Sequence, residues 1–172
     1  AEEAVTQHMT DLQGQFDKTL KKKKNAPFSW KVKQEEIDAI MNSAKKRSDR
    51  YKRMHKEGTS EEEIDKAFAT PIPMTVFSWA GDIDTTLSPL DSIRYYKGFL
   101  QTGFMAMEPQ TGYIRAWVGG IDFHHFKYDH VKESRRQVGS TFKPFVYALA
   151  IQEGWSPCDQ LPNVKTCIPT ED

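Results

Sequence analysis

The sequence predicts an α+β chain, and three observations carry that prediction. Apolar residues recur at steps of three and four through the first third, two hairpin signals follow in the middle, and an apolar helix opened by Gly139-Ser140 comes near the end. Composition agrees with a soluble folded protein: 172 residues, 38% hydrophobic and 28% charged. With 24 basic and 24 acidic residues the formal net charge is zero, so no global field argues for nucleic acid. Lys21-Lys22-Lys23-Lys24 is the one local basic run and reads as a solvated helix end or turn. No apolar run reaches membrane-spanning length and no signal peptide starts at Ala1, so a membrane anchor is expected outside this chain.

The elements follow in order. Val5, Met9, Leu12, Phe16 and Leu20 place one apolar stripe on a helix from about Glu2 to about Lys22, interrupted by Asn25-Ala26-Pro27. A second helix is expected from about Lys33 to Lys56, with Ile37, Ile40, Met41, Ala44, Tyr51 and Met54 near one side and Gly58 at its end. Ser60-Glu61-Glu62-Glu63 has the form of a capping box and starts a third, closed before Pro71 and Pro73. These helices, residues 1–73, read as a linker or scaffold segment.

Residues 74–172 differ in pattern. Met74–Trp79 reads as a strand, Ala80-Gly81-Asp82 as a turn and Asp84–Leu87 as its return. Ser88-Pro89 opens a helix whose apolar face, Ile93, Tyr96 and Leu100, runs up to Thr102-Gly103. Strands at Phe104–Met107 and Tyr113–Val118 are joined by Glu108-Pro109-Gln110-Thr111-Gly112, a run of turn residues. In this hairpin Trp117 reads as core or sheet surface. Between Gly120 and Arg135 lies a loop dense in aromatics and histidines. Metal binding by His124, His125 and His130 is disfavoured, because adjacent histidines point apart and no Cys or Glu spacing completes a tetrahedral set. No metal and no cofactor is expected.

The chemistry concentrates at Ser140-Thr141-Phe142-Lys143. Residues at i and i+3 share a helix face, so the Ser140 hydroxyl and the Lys143 amine can approach each other. A serine is a poor nucleophile until a neighbour takes its proton, and a partly desolvated lysine near a helix N-terminus can do that. Gly139 permits a tight entry turn, and Phe142, Phe145, Val146, Leu149 and Ala150 are expected to bury the rest of the helix, leaving its first turn facing a cleft. A bare S-x-x-K match is weak evidence, since a capping serine before a solvated lysine fits it equally well.

The context sharpens it. Arg136-Gln137-Val138-Gly139-Ser140-Thr141-Phe142-Lys143-Pro144, preceded by Gly112-Tyr113-Ile114-Arg115-Ala116-Trp117-Val118-Gly119-Gly120, resembles the opening of the transpeptidase domain of class A penicillin-binding proteins. The resemblance is strongest over residues 99–163. It implies a partial serine acyltransferase fold of the β-lactamase/transpeptidase type, with residues 74–172 as its N-terminal part. It also implies Ser140 as nucleophile, Lys143 as base, peptidoglycan stem peptides as substrate, β-lactams as acylating ligands, and the periplasmic side of the bacterial inner membrane as location. In the family the 104–118 hairpin begins the central sheet, and the following loop leads to the nucleophile, so that Phe126 or Tyr128 would wall the site. In such a compartment Cys158 and Cys167, nine residues apart, could close a small loop; two free thiols are the preferred reading.

Two family motifs are missing. No serine is followed two residues later by asparagine, as S-x-N requires, and Lys165-Thr166-Cys167 is not the K-T-G motif because Cys167 puts a side chain where glycine lets substrate approach. No E-D-x-x-F glycosyltransferase signature occurs upstream. The chain is therefore expected to be an internal piece of a bifunctional synthase, inactive alone and, with apolar surface left uncovered, inclined to self-associate. Two alternatives stay open: a class D β-lactamase or β-lactam sensor domain, which shares Ser-Thr-Phe-Lys, and a non-catalytic interaction module.

Overall fold

The computed structural model describes residues 1–21 and 23–160, and its secondary structure is α+β as expected. Lys165-Thr166-Cys167 and any pairing of Cys167 lie outside the described residues; Cys158 is exposed as a free thiol. The chain divides into two compact units, Ala1–Ser134 and the segment from Arg135 onward.

In the first unit helix α1 spans Glu2–Leu20. Its anchor to the rest is a polar residue. Gln13 is buried; its Nε2 donates to Asp17 Oδ1 (2.8 Å) and to the Gly98 carbonyl (3.0 Å), and its Oε1 accepts from the Leu100 N–H (2.8 Å). Two of these bonds satisfy partly buried backbone groups 85 and 87 residues away, which makes Gln13 specific rather than merely tolerated.

The expected second helix is two helices, α2 over Gln34–Arg47 and α3 over Asp49–Lys56. Ser48 breaks it. Its hydroxyl donates to the Lys45 carbonyl (2.6 Å) and accepts from the Tyr51 N–H (3.3 Å), so a side chain takes groups that a continuous helix would pair, and Ser48 caps the start of α3 in an extended conformation. Helix α4, Glu61–Ala69, starts at the predicted capping box, Ser60 Oγ accepting from Glu63 N–H (3.3 Å) while the Glu63 carboxylate accepts from Ser60 N–H (3.2 Å).

Tyr51, Ile64 and Phe68 form the buried cluster where these helices meet. Lys45 is buried beside it, its ammonium 5.5 Å from the ring centres of Tyr51 and Phe68 and paired with the Asp65 carboxylate. Burial of a lysine is tolerable because both its stem and its charge are partnered.

Strands β1, Ile72–Val76, and β2, Ile83–Leu87, form an antiparallel ribbon from Ile72 opposite Leu87 to Val76 opposite Ile83. It includes Pro73, which a two-stranded ribbon accepts because both its strands are edges. The strand also ends earlier than the predicted Trp79. Tyr95 Oη donates to the Phe77 carbonyl (2.8 Å) and Phe77 N–H donates to Tyr96 Oη (3.2 Å), so side chains occupy the groups a sheet partner would take. Both tyrosines come from helix α5, Pro89–Tyr96, which Ser88 caps by accepting from Asp91 N–H (3.0 Å). Helix α5 stops at Tyr96 instead of continuing to Thr102, since Gly98 and Leu100 are engaged by Gln13.

Strands β3, Phe104–Met107, and β4, Ile114–Val118, pair from Phe104 opposite Val118, with an irregularity between Ala106 and Met107. Gly112, at φ +74°, closes the turn between them. In the second unit, a single 3₁₀ turn at Gly139–Phe142 leads into helix α6, Lys143–Gln152.

Candidate active site

Ser140 and Lys143 sit where one helical type changes into another. Gly139 enters the turn at φ +50°, a left-handed conformation in which a Cβ is costly. Thr141 N–H then donates to the Val138 carbonyl (3.1 Å), and the Thr141 hydroxyl donates to the same oxygen. The next bond defines the site: Lys143 N–H donates to the Ser140 carbonyl. Pro144 explains why. It has no N–H to reach back four residues to Ser140, so that carbonyl is satisfied from three residues away and the backbone takes the tighter 3₁₀ form. In that form backbone positions i and i+3, such as 140 and 143, eclipse. The sequence predicts a regular helical turn here; the backbone takes a tighter one.

One expectation about this helix is corrected. No residue of α6 is buried, and Phe142, Phe145, Val146 and Leu149 are between 51% and 69% exposed. Ser140 and Lys143 are exposed too. Tyr147 and Ile151, on other sides of α6, are 62% and 58% exposed, so the helix is apolar all round rather than along one stripe. Such a helix finds no stable arrangement with one face in water.

The loop after β4 is held by contacts that sequence reading missed. Asp129 Oδ1 accepts from the N–H groups of Val131 (2.8 Å) and Lys132 (3.0 Å), and Oδ2 accepts from the Trp117 indole (2.9 Å). His130 N–H donates to the Gly119 carbonyl (2.6 Å). Gly119 has to be glycine here, since a Cβ would stand 2.8 Å from the Asp129 carboxyl carbon; at Gly103 it would stand 2.9 Å from Val131 N. Trp117 is a sheet-surface residue tied to this loop. The available signal was the aspartate itself, placed to accept from the two and three residues that follow it.

These bonds set a pH dependence. The Lys132 N–H foremost, opposed next by desolvation and then helped by the Trp117 indole and the Val131 N–H, holds the Asp129 carboxyl below the usual aspartate range. A carboxylate depressed in the folded state stabilises above its unfolded value, near pH 4, and loses that contribution as pH falls through the lower folded value. The Trp117 indole N–H resonance of the wild-type chain is therefore expected to hold its hydrogen-bonded position down to about pH 4 and to shift below it. In Asp129→Ala it starts at the shifted position and does not respond; a resonance identical in both proteins excludes the contact.

The aromatic loop also supplies core. Phe126 packs edge-on against Phe77 (5.4 Å between centres), Tyr96 (5.5 Å) and Phe99 (5.7 Å), so it mainly holds the loop onto α5. Tyr128 is half exposed and lines a cleft of about 400 Å³ with Trp117, Gly119, Phe123 and Asp129. His125 is a structural bridge. Its Nε2 lies 2.8 Å from Asp82 Oδ1 and its Nδ1 3.3 Å from Tyr96 Oη. The Asp82 carboxylate can only accept, so Nε2 carries the proton facing it. Both ring nitrogens are thus engaged, and among the described residues no group of three His, Cys, Asp or Glu is arranged to hold a metal.

Comparison with known proteins divides the chain near residue 101. A family model for the penicillin-binding protein middle domain matches residues 23–100, and one for the penicillin binding protein transpeptidase domain matches residues 102–169. The second contains Ser140 and Lys143. Curated relatives include penicillin-binding protein 1A of Neisseria lactamica, 37% identical over 70 residues, which are 41% of this chain and 9% of that protein. Penicillin-binding protein 1A of Vibrio cholerae is 47% identical over 53 residues, 31% of this chain and 6% of that protein. Penicillin-binding protein 2D of Bacillus subtilis is 39% identical over 67 residues, 39% of this chain and 10% of that protein. No solved structure gives a significant match. The chain belongs to the penicillin-binding proteins, as part of a class A member.

Proposed function

We propose that the protein containing this chain is a D,D-transpeptidase that cross-links peptidoglycan stem peptides through an acyl-enzyme on Ser140. The observation that supports this reading is the 3₁₀ turn, bonded from Lys143 N–H to the Ser140 carbonyl, within the segment matched by the transpeptidase model. Ser140 Oγ attacks the penultimate D-Ala carbonyl while its proton passes to the Lys143 amine. The peptide C–N bond then breaks, the terminal D-Ala leaves with a proton on its amine, and an amine of a neighbouring stem peptide takes the acyl group from Ser140. The Ser140 N–H supplies one donor to the oxyanion. A second donor and the proton-shuttling groups of an S-x-N motif have no counterpart among these 172 residues, so the reaction is assigned to the full-length protein.

β-Lactams carry a strained amide that the same serine opens, and the product stays attached because deacylation is slow. Location on the periplasmic side of the inner membrane belongs to the same reading, as does an upstream glycosyltransferase domain. The all-round apolar character of α6 supports it, since that helix suits the interior of a complete domain.

Treating the full-length protein with benzylpenicillin and mapping the adduct by mass spectrometry tests the proposal. One stable penicilloyl group is expected on the peptide that carries Ser140. Rapid nitrocefin turnover without a stable adduct selects the β-lactamase reading, and no adduct with nitrocefin untouched selects the interaction module.

A further inference from the structure

From Lys18 to Gln34 the sequence holds seven lysines, at 18, 21, 22, 23, 24, 31 and 33, and no acidic residue. In a chain of zero net charge this is a strong local concentration of one sign. The structure shows Lys18, Lys21, Lys23, Lys24, Lys31 and Lys33 all exposed, and among the described residues none of the six is in an ion pair. Between the two lysine groups the chain forms a closed loop. Asn25 Nδ2 donates to the Val32 carbonyl (2.9 Å), Phe28 N–H donates to the Asn25 carbonyl (2.7 Å) and Val32 N–H donates to the Ser29 carbonyl (3.0 Å). At its tip Trp30 is 68% exposed, with the Lys31 ammonium 5.4 Å from its ring centre.

We propose that this loop docks the protein onto a membrane leaflet carrying anionic lipid headgroups. Charge complementarity gives the attraction, because several lysines on one patch bind a negatively charged surface additively. Trp30 gives the depth. An exposed indole is poorly placed in water but well placed at the headgroup level, where its ring meets the acyl boundary and its N–H stays hydrated. The basic residues here are all lysines, whose compact charges suit diffuse attraction to a lipid surface; the planar fork with which arginine reads phosphates and bases is absent from residues 18–34. The docking needs neither Ser140 nor Lys143, so it stands apart from the acyl-transfer reading.

Co-sedimentation of the whole chain with vesicles of phosphatidylcholine, or of phosphatidylcholine and phosphatidylglycerol in equal parts, tests it. Binding is expected only to the mixed vesicles and falls as salt rises. Neutralising three lysines together, in Lys21→Gln/Lys23→Gln/Lys24→Gln, is expected to weaken binding about a hundredfold, each lysine contributing about fivefold. Trp30→Ala weakens it further at unchanged charge; all these positions are exposed, and circular dichroism confirms that the variants fold. Equal binding to phosphatidylcholine alone traces the affinity to the apolar surface of α6 and overturns the proposal. Failure to bind mixed vesicles, tight binding to a single-stranded oligonucleotide with none to vesicles, or indifference to Trp30→Ala overturns it too.

Discussion

Ser140→Ala in the full-length protein abolishes labelling by a fluorescent penicillin. Labelling needs a covalent bond between a protein oxygen and the opened lactam carbonyl, and the methyl group left by the substitution offers no atom that can form it. Removing the hydroxyl costs the fold little, because Ser140 is exposed. Loss of labelling with an unchanged melting temperature thus isolates the chemistry. Neighbouring hydroxyls sharpen the result. Thr141 lies next in sequence, but its hydroxyl donates to the Val138 carbonyl and is committed to the turn. Thr141→Ala is therefore expected to loosen the turn while retaining labelling. Persistent labelling of Ser140→Ala removes Ser140 as nucleophile.

The parts of the fold that were legible in the sequence are those decided within a few residues. Ser60 with Glu63, Ser88 with Pro89, and the turn ending at Gly112 each carry their own hydrogen bonds or backbone preference, and all three stand where the pattern placed them. The misplaced boundaries depend on distant partners. Helix α5 ends early because Gln13 reaches Gly98 and Leu100 from α1, and β1 ends early because Tyr95 and Tyr96 capture Phe77 from α5. No local propensity encodes such contacts. Ser48 is an intermediate case: its bonds are local, yet a serine in a helical pattern usually faces solvent without breaking it.

The candidate site divides in the same way. The spacing of Ser140 and Lys143 could be read directly, and Pro144, visible in the sequence, accounts for the 3₁₀ turn between them. Burial could not be read. A row of apolar residues says that α6 prefers to be covered, not what covers it, and here its residues are exposed. Asp129 was overlooked because its bond to the Trp117 indole of β4 and its close approach to Gly119, just after that strand, form only in the folded chain.

Lys143→Ala is expected to slow acylation of the full-length protein by penicillin about 10²- to 10⁴-fold, the usual contribution of a positioned general base. The fold should survive, because Lys143 is exposed and its structural bond, from backbone N–H to the Ser140 carbonyl, is kept by alanine. Lys143→Arg separates two roles that alanine removes together. Arginine keeps a positive charge of similar reach but cannot give up its proton at neutral pH, so it can attract an anionic substrate without serving as a base. If Lys143 takes the Ser140 proton, both variants acylate slowly and stopped-flow traces of the two nearly coincide. If Lys143 acts by charge alone, arginine restores the rate while alanine does not. Near-normal acylation by the alanine variant assigns proton removal to another group. The measurement requires the complete protein for a physical reason: a lysine accepts a proton only when neutral, and exclusion of water favours that form. In this chain Lys143 stands open to solvent at the head of an uncovered helix.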